Sequence, residues 1–223
     1  MGWPPFKENS SVMKDWTFEG KDVAGTFDAH VREQLPWYEL ATGAVAHIIR
    51  HYLPKNGTIY DIGASTGNIG RAIAPIIEKR NAKIIPVEVS REMAEVYAGP
   101  GKENLVVGDI SDIQLEDFDV AVLFLTLMFI APAARESVLQ KLRGRRRTGG
   151  AIIVMDKVVA QDGYLGTIMA RLTLAGKVAS GVPANDIIAK ELSLMGVQRP
   201  LRDEMRQGRE WFRFGEFVGW VEE

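Results

Sequence analysis

The sequence predicts an α/β protein built on a doubly wound, mostly parallel sheet, with a helical lid at its amino end and a helical insertion late in the chain. Three observations carry this. Short apolar runs near 58–62, 83–88, 104–107, 119–125 and 151–155 alternate with helical patterns, the order of repeated strand–helix–strand units. The run 119–125 is almost continuously apolar, as a central strand covered on both faces requires. The run 58–62 carries Asp61 near its end and passes through Gly63 and Gly67 into a helix, the kind of joint at which such sheets hold ligands.

In chain order, residues 1–20 form an arm with Trp16 and Phe18 as aromatic anchors. From 22 to 53 the pattern is helical. Phe27, Val31 and Leu35 recur every four residues, Pro36 breaks the run, and Leu40, Val45, Ile48 and Ile49 make a second stripe. Residues 54–57 turn into the first strand. A helix over 67–80 is expected to kink at Pro75. After the second strand, Ser90 caps a helix that turns Met93 to the core. The third strand ends at Gly108 and Asp109. A helix over 133–143 precedes a turn at 148–150 and a fifth strand at 151–155. Residues 163–177 and 184–195 are helical, 199–209 is a charged loop, and 211–221 reads as one closing strand with a bulge at Gly215. The expected organisation is one domain over 1–223: arm and lid 1–53, binding core 57–158, helical insertion 159–209 and final strand 210–221.

Bulk properties narrow the chemistry. At 223 residues the chain can bury a sizeable core, and a net charge of −2 gives no general attraction to nucleic acid. Cysteine is absent, which removes disulfides, thiolate metal sites and any base methylation begun by cysteine attack. No signal-type apolar segment opens the sequence and no run is long enough to span a bilayer, so a soluble, cytoplasmic protein is expected, without a membrane partner. His47 and His51 share a helix face but lack a third ligand, so no metal is expected. The basic cluster at 143–147 precedes the fifth strand, away from the binding end, and reads as a solvated helix end.

Three acids fall at the ends of successive strands: Asp61, Glu88 and Asp109. Asp61 can partner the ammonium of an amino-acid tail. Glu88 can accept both hydroxyls of a ribose. Asp109 can meet an adenine amino group, with Ile110 packed on the ring. The first loop, Asp61, Gly63, Ala64, Ser65 and Gly67, is neither a dinucleotide Gly-x-Gly-x-x-Gly nor a phosphate loop. It resembles the first motif of class I S-adenosylmethionine-dependent methyltransferases. His30, next to Phe27 on the lid, titrates in the right range for a base; a packed or surface histidine is the competing reading. Tyr38 and Tyr164 are further candidates on the substrate side. Leu125-Thr-Leu-Met128 stands where amino-group DNA methyltransferases carry Asn/Asp-Pro-Pro-Tyr/Phe, which argues against that reaction.

More specific elements follow one another along the chain: Asp15-Trp-Thr-Phe18, Pro36-x-Tyr38, Tyr60-Asp-Ile-Gly63, Glu88-Val-Ser90 with Met93, Gly108-Asp-Ile110, Thr126-Leu-x-Phe129, and Trp211-Phe-x-x-Phe214. Together they resemble the carboxy-S-adenosylmethionine synthase family, methyltransferase-fold enzymes of tRNA wobble-uridine modification. The resemblance implies a Rossmann-like class I methyltransferase fold, a homodimer, and cofactor contacts at Tyr38, Gly63, Glu88, Val89, Asp109 and Ile110. Two departures stand out. Where that family clamps an extra carboxylate with arginine, this chain has Lys190-Glu191, and Phe124 replaces a strand-four asparagine. A glutamate at the clamp is expected to repel a carboxylate, with Arg199 or Arg202 as possible substitutes for the arginine. The expected function is therefore methyl transfer from S-adenosylmethionine to an unidentified acceptor, a small molecule or RNA. A carboxy-S-adenosylmethionine synthase using a carboxylated derivative, and a non-catalytic binder of an adenosyl cofactor, are the alternatives.

Overall fold

The computed structural model describes residues 21–159 and 163–223; Trp16 and Phe18 lie outside them. Helices α1 (Lys21–Gln34) and α2 (Tyr38–Tyr52) precede a seven-stranded sheet. Its first half runs β1 (Thr58–Ile62), α3 (Asn68–Arg80), β2 (Lys83–Glu88), α4 (Arg91–Glu95) and β3 (Val106–Val107). Then come β4 (Phe118–Phe124), α5 (Pro132–Arg143), β5 (Arg146–Lys157), α6 (Gly163–Ala179), α7 (Ala184–Ser193), β6 (Arg209–Phe214) and β7 (Phe217–Glu222). The strand order is β3-β2-β1-β4-β5-β7-β6, with β1 to β5 parallel and β7 antiparallel to β5. The order reverses between β1 and β4, and a crevice opens at their carboxyl ends.

The apolar runs become strands because each face of the sheet is covered. On β4, Phe118, Ala121 and Leu123 join one core and Val120, Val122 and Phe124 the other. Val138, Leu139 and Leu142 of α5 close the first core; Ala41, Val45 and Ile49 of α2, with Ile69 and Ile73 of α3, close the second. Strand alternation and helical spacing thus meet in the same two layers. Ser90 caps α4 by accepting the Met93 N–H, as its position suggests.

Three local expectations are corrected. Residues 210–221 do not form one strand: β6 and β7 make an antiparallel hairpin, and Gly215, at φ +59°, sits in the two-residue turn. The register irregularity lies between Glu210 and Phe212 instead, and Gly219 lets the Trp211 ring lie against the neighbouring strand. The fifth strand begins at Arg146, so 148–150 is strand and not a turn. Pro75 lies inside α3 on its exposed side, where water can take the carbonyl bond it forgoes. The basic cluster is spent on structure. Arg143 grips Glu222 through two bonds of 2.7 and 3.0 Å, Arg145 pairs with Asp117, and Arg147 with Asp119.

Gly67 is held to glycine by the chain's own packing. Its φ is +94°, and a Cβ there would lie 2.8 Å from the Gly99 backbone nitrogen. The close approach that requires glycine is to the chain itself. Gly67→Ala is therefore expected to cost about 1–3 kcal/mol in urea unfolding of the ligand-free protein; an unchanged midpoint with a loss confined to ligand binding would contradict this.

Candidate functional site

A cavity of about 230 Å³ opens at the carboxyl ends of β1, β2, β4 and β5. Asp61 and Glu88 stand in its wall at the ends of β1 and β2, with Gly63, Ala64 and Ser65 between them. Gly63 has φ +74°, and a Cβ would meet the Thr126 hydroxyl at 2.5 Å. That hydroxyl donates to the Ile62 carbonyl at 2.8 Å and so ties the end of β1 to the loop after β4. The loop is in turn held by Asp156, a buried acid on β5. Its carboxylate accepts the N–H groups of Thr126, Leu127, Met128 and Lys157 at 2.6–3.3 Å.

The roof comes from α1. Phe27, Val31 and Leu35, the stripe visible in the sequence, line the cavity. The helix is latched by charge: the Asp28 carboxylate takes the Thr66 hydroxyl and pairs with Arg71, while Arg32 donates to Asn68 at 3.1 Å. Tyr38, at the start of α2, is buried in the same wall, edge-on to Phe124 with ring centres 5.4 Å apart. Burial, then the Asp28 charge, pushes its phenol pKa well above the ordinary value. The Tyr38 phenol therefore keeps its proton at neutral pH.

The two acids differ in how well they are satisfied. Glu88 accepts the Ser65 N–H at 2.7 Å on one oxygen and the Ser90 N–H at 2.9 Å on the other, yet burial still raises its pKa. Asp61 is 1% exposed and takes one backbone N–H, from Gly70, while its Oδ2 has no partner. Burial, then the Glu88 charge, raises Asp61 to about 7. An unpartnered, buried carboxylate oxygen in a cavity wall fits a cationic ligand group.

Not every expected residue arrives. Val89 lines the cavity at its rim, 62% exposed. Asp109 is turned outward, where it accepts the Ser111 N–H; Ile110 is buried in the core; neither lines the cavity. The third strand is only two residues long, and its last residue, Val107, pairs with Glu88. Tyr164 is 72% exposed in the first turn of α6 and outside the lining. His30 lies on α1, and its side chain is outside the described residues.

Sequence reasoning missed Asp28, whose pairing four residues from Arg32 on one helix is a readable signal, and two lysines of the far wall, Lys157 and Lys177. Lys157, Lys177 and Lys190 all line the cavity. Glu191 does reach this wall, but its carboxylate is held by Lys177 at 2.8 Å, so it does not stand as a bare repelling charge. Arg199 and Arg202 are not in the lining and do not replace a lost arginine there.

Comparison with known proteins agrees with this geometry. A methyltransferase domain model matches residues 59–150. The carboxy-S-adenosyl-L-methionine synthase of Shewanella sediminis (strain HAW-EB3) is 32% identical over 195 residues, 84% of this chain and 80% of its own. The enzyme of the same name from Staphylococcus epidermidis (strain ATCC 35984) is 28% identical over 219 residues, 92% and 95% of the two chains. Among solved structures, the mitomycin 7-O-methyltransferase MmcR superposes with a TM-score of 0.53 at 15% identity, over 81% of this chain and 52% of its own. CalO1, a methyltransferase in calicheamicin biosynthesis, gives 0.50 at 17%, over 91% and 60%. These two share the fold. A first loop that opens on a buried acid, a second buried acid one strand away and an identity of 32% over most of both chains lead to one conclusion: the chain belongs to the carboxy-S-adenosyl-L-methionine synthase-like family of class I S-adenosylmethionine-dependent methyltransferases.

Proposed function

We propose that this protein transfers the methyl group of S-adenosylmethionine to an acceptor held in the same cavity. The unpartnered Oδ2 of Asp61 carries the reading. Leaving a charged group buried without its bond costs on the order of 1–3 kcal/mol or more, a cost that a cationic ligand group removes. Glu88 supplies the ribose contact, since each of its oxygens takes one backbone N–H and keeps a lone pair. Asp109 and Ile110 fall outside this assignment.

When bound, S-adenosylmethionine supplies a methyl carbon that an acceptor lone pair takes as the carbon–sulfur electron pair returns to sulfur. The chain's own residues contribute placement and exclusion of water. Phe27, Val31 and Leu35 roof the cavity, and Asp28 and Arg32 hold that roof down. Tyr38 presents a phenol that stays protonated at neutral pH and can donate to an acceptor oxygen or nitrogen.

A second reading, synthesis of carboxy-S-adenosylmethionine in tRNA wobble-uridine modification, is supported by the names of the relatives and by the lysines in the far wall. Against it stand Phe124 in the wall, where a polar contact of that family is lost, and Glu191 in place of its arginine. A single domain, a cytoplasmic location and a homodimer complete the proposal. Leu165, Ile168 and Leu172, exposed together on α6, suit a partner copy. Among the described residues no helix is long and apolar enough to cross a membrane.

Glu88→Ala is expected to weaken S-adenosylmethionine binding by about 10–100-fold in calorimetry, with Glu88→Gln weaker by less. Unchanged affinity in Glu88→Ala would remove the ribose assignment. The buried acids also set a pH dependence. Asp61 and Asp156 lie near 7 when folded, against about 4 unfolded. The folded state then holds more protons across that window, so the ligand-free protein loses stability as pH rises from about 4 to about 7. Urea midpoints measured across this range should fall less steeply in Asp61→Asn; an identical slope would show that Asp61 does not titrate there.

A further inference from the structure

Among the described residues that line the cavity, two side-chain atoms are buried without a hydrogen-bond partner: Oδ2 of Asp61 and Oε1 of Gln34. The proposed reaction employs the first and leaves the second idle. Gln34 lies in the last turn of α1, seven residues after Phe27 and three after Val31. That spacing sets it on the face of Phe27, Val31 and Leu35, which roofs the cavity. A lid that only covered apolar space would be better served there by leucine or methionine. Glutamine instead leaves a carbonyl oxygen unmet, and a buried acceptor without a donor is costly. The place of this last turn narrows which donor can meet it. From Gln34 the chain runs into Trp37, packed on Phe212 and Phe217 of the β6–β7 hairpin with ring centres 5.6 and 4.7 Å away. Tyr38 follows, edge-on to Phe124 at the end of β4. Glu88, the proposed ribose contact, ends β2, on the other side of β1 from β4. Gln34 thus belongs to the half of the crevice opposite the ribose acid, and the ammonium group is already matched to Asp61.

We infer that Gln34 is a specificity-determining residue for the acceptor, and that the methyl acceptor carries a neutral hydroxyl whose O–H donates to Gln34 Oε1. Calling that molecule the methyl acceptor rests on the methyl-transfer reading above; the demand for a donor rests only on Gln34. A carbonyl oxygen accepts and cannot donate, which excludes an ether, a ketone or a carboxylate as the group it meets. The Tyr38 phenol, four residues on and in the same wall, keeps its proton and donates. A hydroxyl suits both neighbours, because it gives one hydrogen bond and accepts others. A protonated amine has hydrogens to give but no lone pair for Tyr38, and its charge is met by Asp61 and not by an amide. Phe124, Leu125 and Met128 make the surrounding wall apolar, where a neutral group costs less to bury than a charged one.

NMR titrations on the full chain saturated with S-adenosylhomocysteine test this with benzyl alcohol, benzyl methyl ether and benzylamine, which share a ring and differ in the polar group. The alcohol should bind saturably and about fivefold or more tightly than the ether, which keeps an oxygen but has no hydrogen to give, and than the amine. In Gln34→Met, close in length and apolar, that preference should fall below about twofold, with S-adenosylhomocysteine affinity also within about twofold of the unaltered protein. The same substitution should raise the melting temperature of the ligand-free protein by about 2 °C or more, because it removes an acceptor that has no partner. A glutamine with a purely structural role would lower it. Equal binding of alcohol and ether, no saturable binding of the alcohol, a preference for the amine, or a preference that survives in Gln34→Met overturns the assignment. A melting temperature that does not rise overturns it as well. A larger loss of S-adenosylhomocysteine affinity in Gln34→Met would move Gln34 from acceptor to cofactor and overturn the acceptor assignment. If S-adenosylhomocysteine does not bind the unaltered protein at all, the methyl-transfer reading fails, and the same titrations on the cofactor-free protein still decide whether Gln34 selects a hydroxyl.

Discussion

A carboxylate buried with one oxygen unpaired is the constraint around which this site is built. Asp61 sits at the end of β1, where β2 and β4 flank it and the strand order reverses. Water does not reach it, Glu88 repels it, and one backbone N–H from Gly70 supports it. It is enclosed by the two covered faces of the sheet and by a helical roof that Asp28, Arg71 and Arg32 fix through charge. In the proposed function a cationic ligand group completes this acid.

Asp156 shows by contrast what a finished buried acid looks like. Burial raises both acids to about 7. Asp156, however, meets four backbone N–H groups and fixes the loop that carries Leu125, at φ +58°, and Thr126 into the cavity wall. Its work is structural, whereas Asp61 stands in the cavity wall with one oxygen unpartnered. A shifted pKa alone does not separate the two; the count of satisfied bonds does. The same loop explains why Gly63 is glycine, since the Thr126 side chain occupies the place a Cβ would need.

Much of this was legible in the sequence, for local reasons. Buried parallel strands announce themselves as apolar runs, and an acid at a strand end followed by a glycine turn marks the crevice. Asp61, Glu88 and the Phe27, Val31, Leu35 stripe are read from spacing alone. Where the reading failed, the deciding contact was distant in sequence. Gly67 answers to Gly99, Asp109 turns outward to accept the Ser111 N–H of its own turn, and one aromatic segment became a hairpin because Gly215 sits in a turn. Of the lysine wall only Lys190 was named from the sequence, because it takes α6, α7 and the end of β5 to bring Lys177 and Lys157 beside it. Glu191 illustrates the hazard best: read by position it is a repelling charge, and read in place it is the partner of Lys177.

The carboxyl carbon of Asp61, followed by NMR through a pH titration of the free and S-adenosylhomocysteine-bound protein, tests the central claim most directly, since the bound nucleoside brings an ammonium group. The account predicts a midpoint near 7 in the free protein and a fall of more than about one unit when the ligand's ammonium pairs with the carboxylate. A midpoint that does not move on binding would mean that Asp61 meets no cation, and would contradict the account.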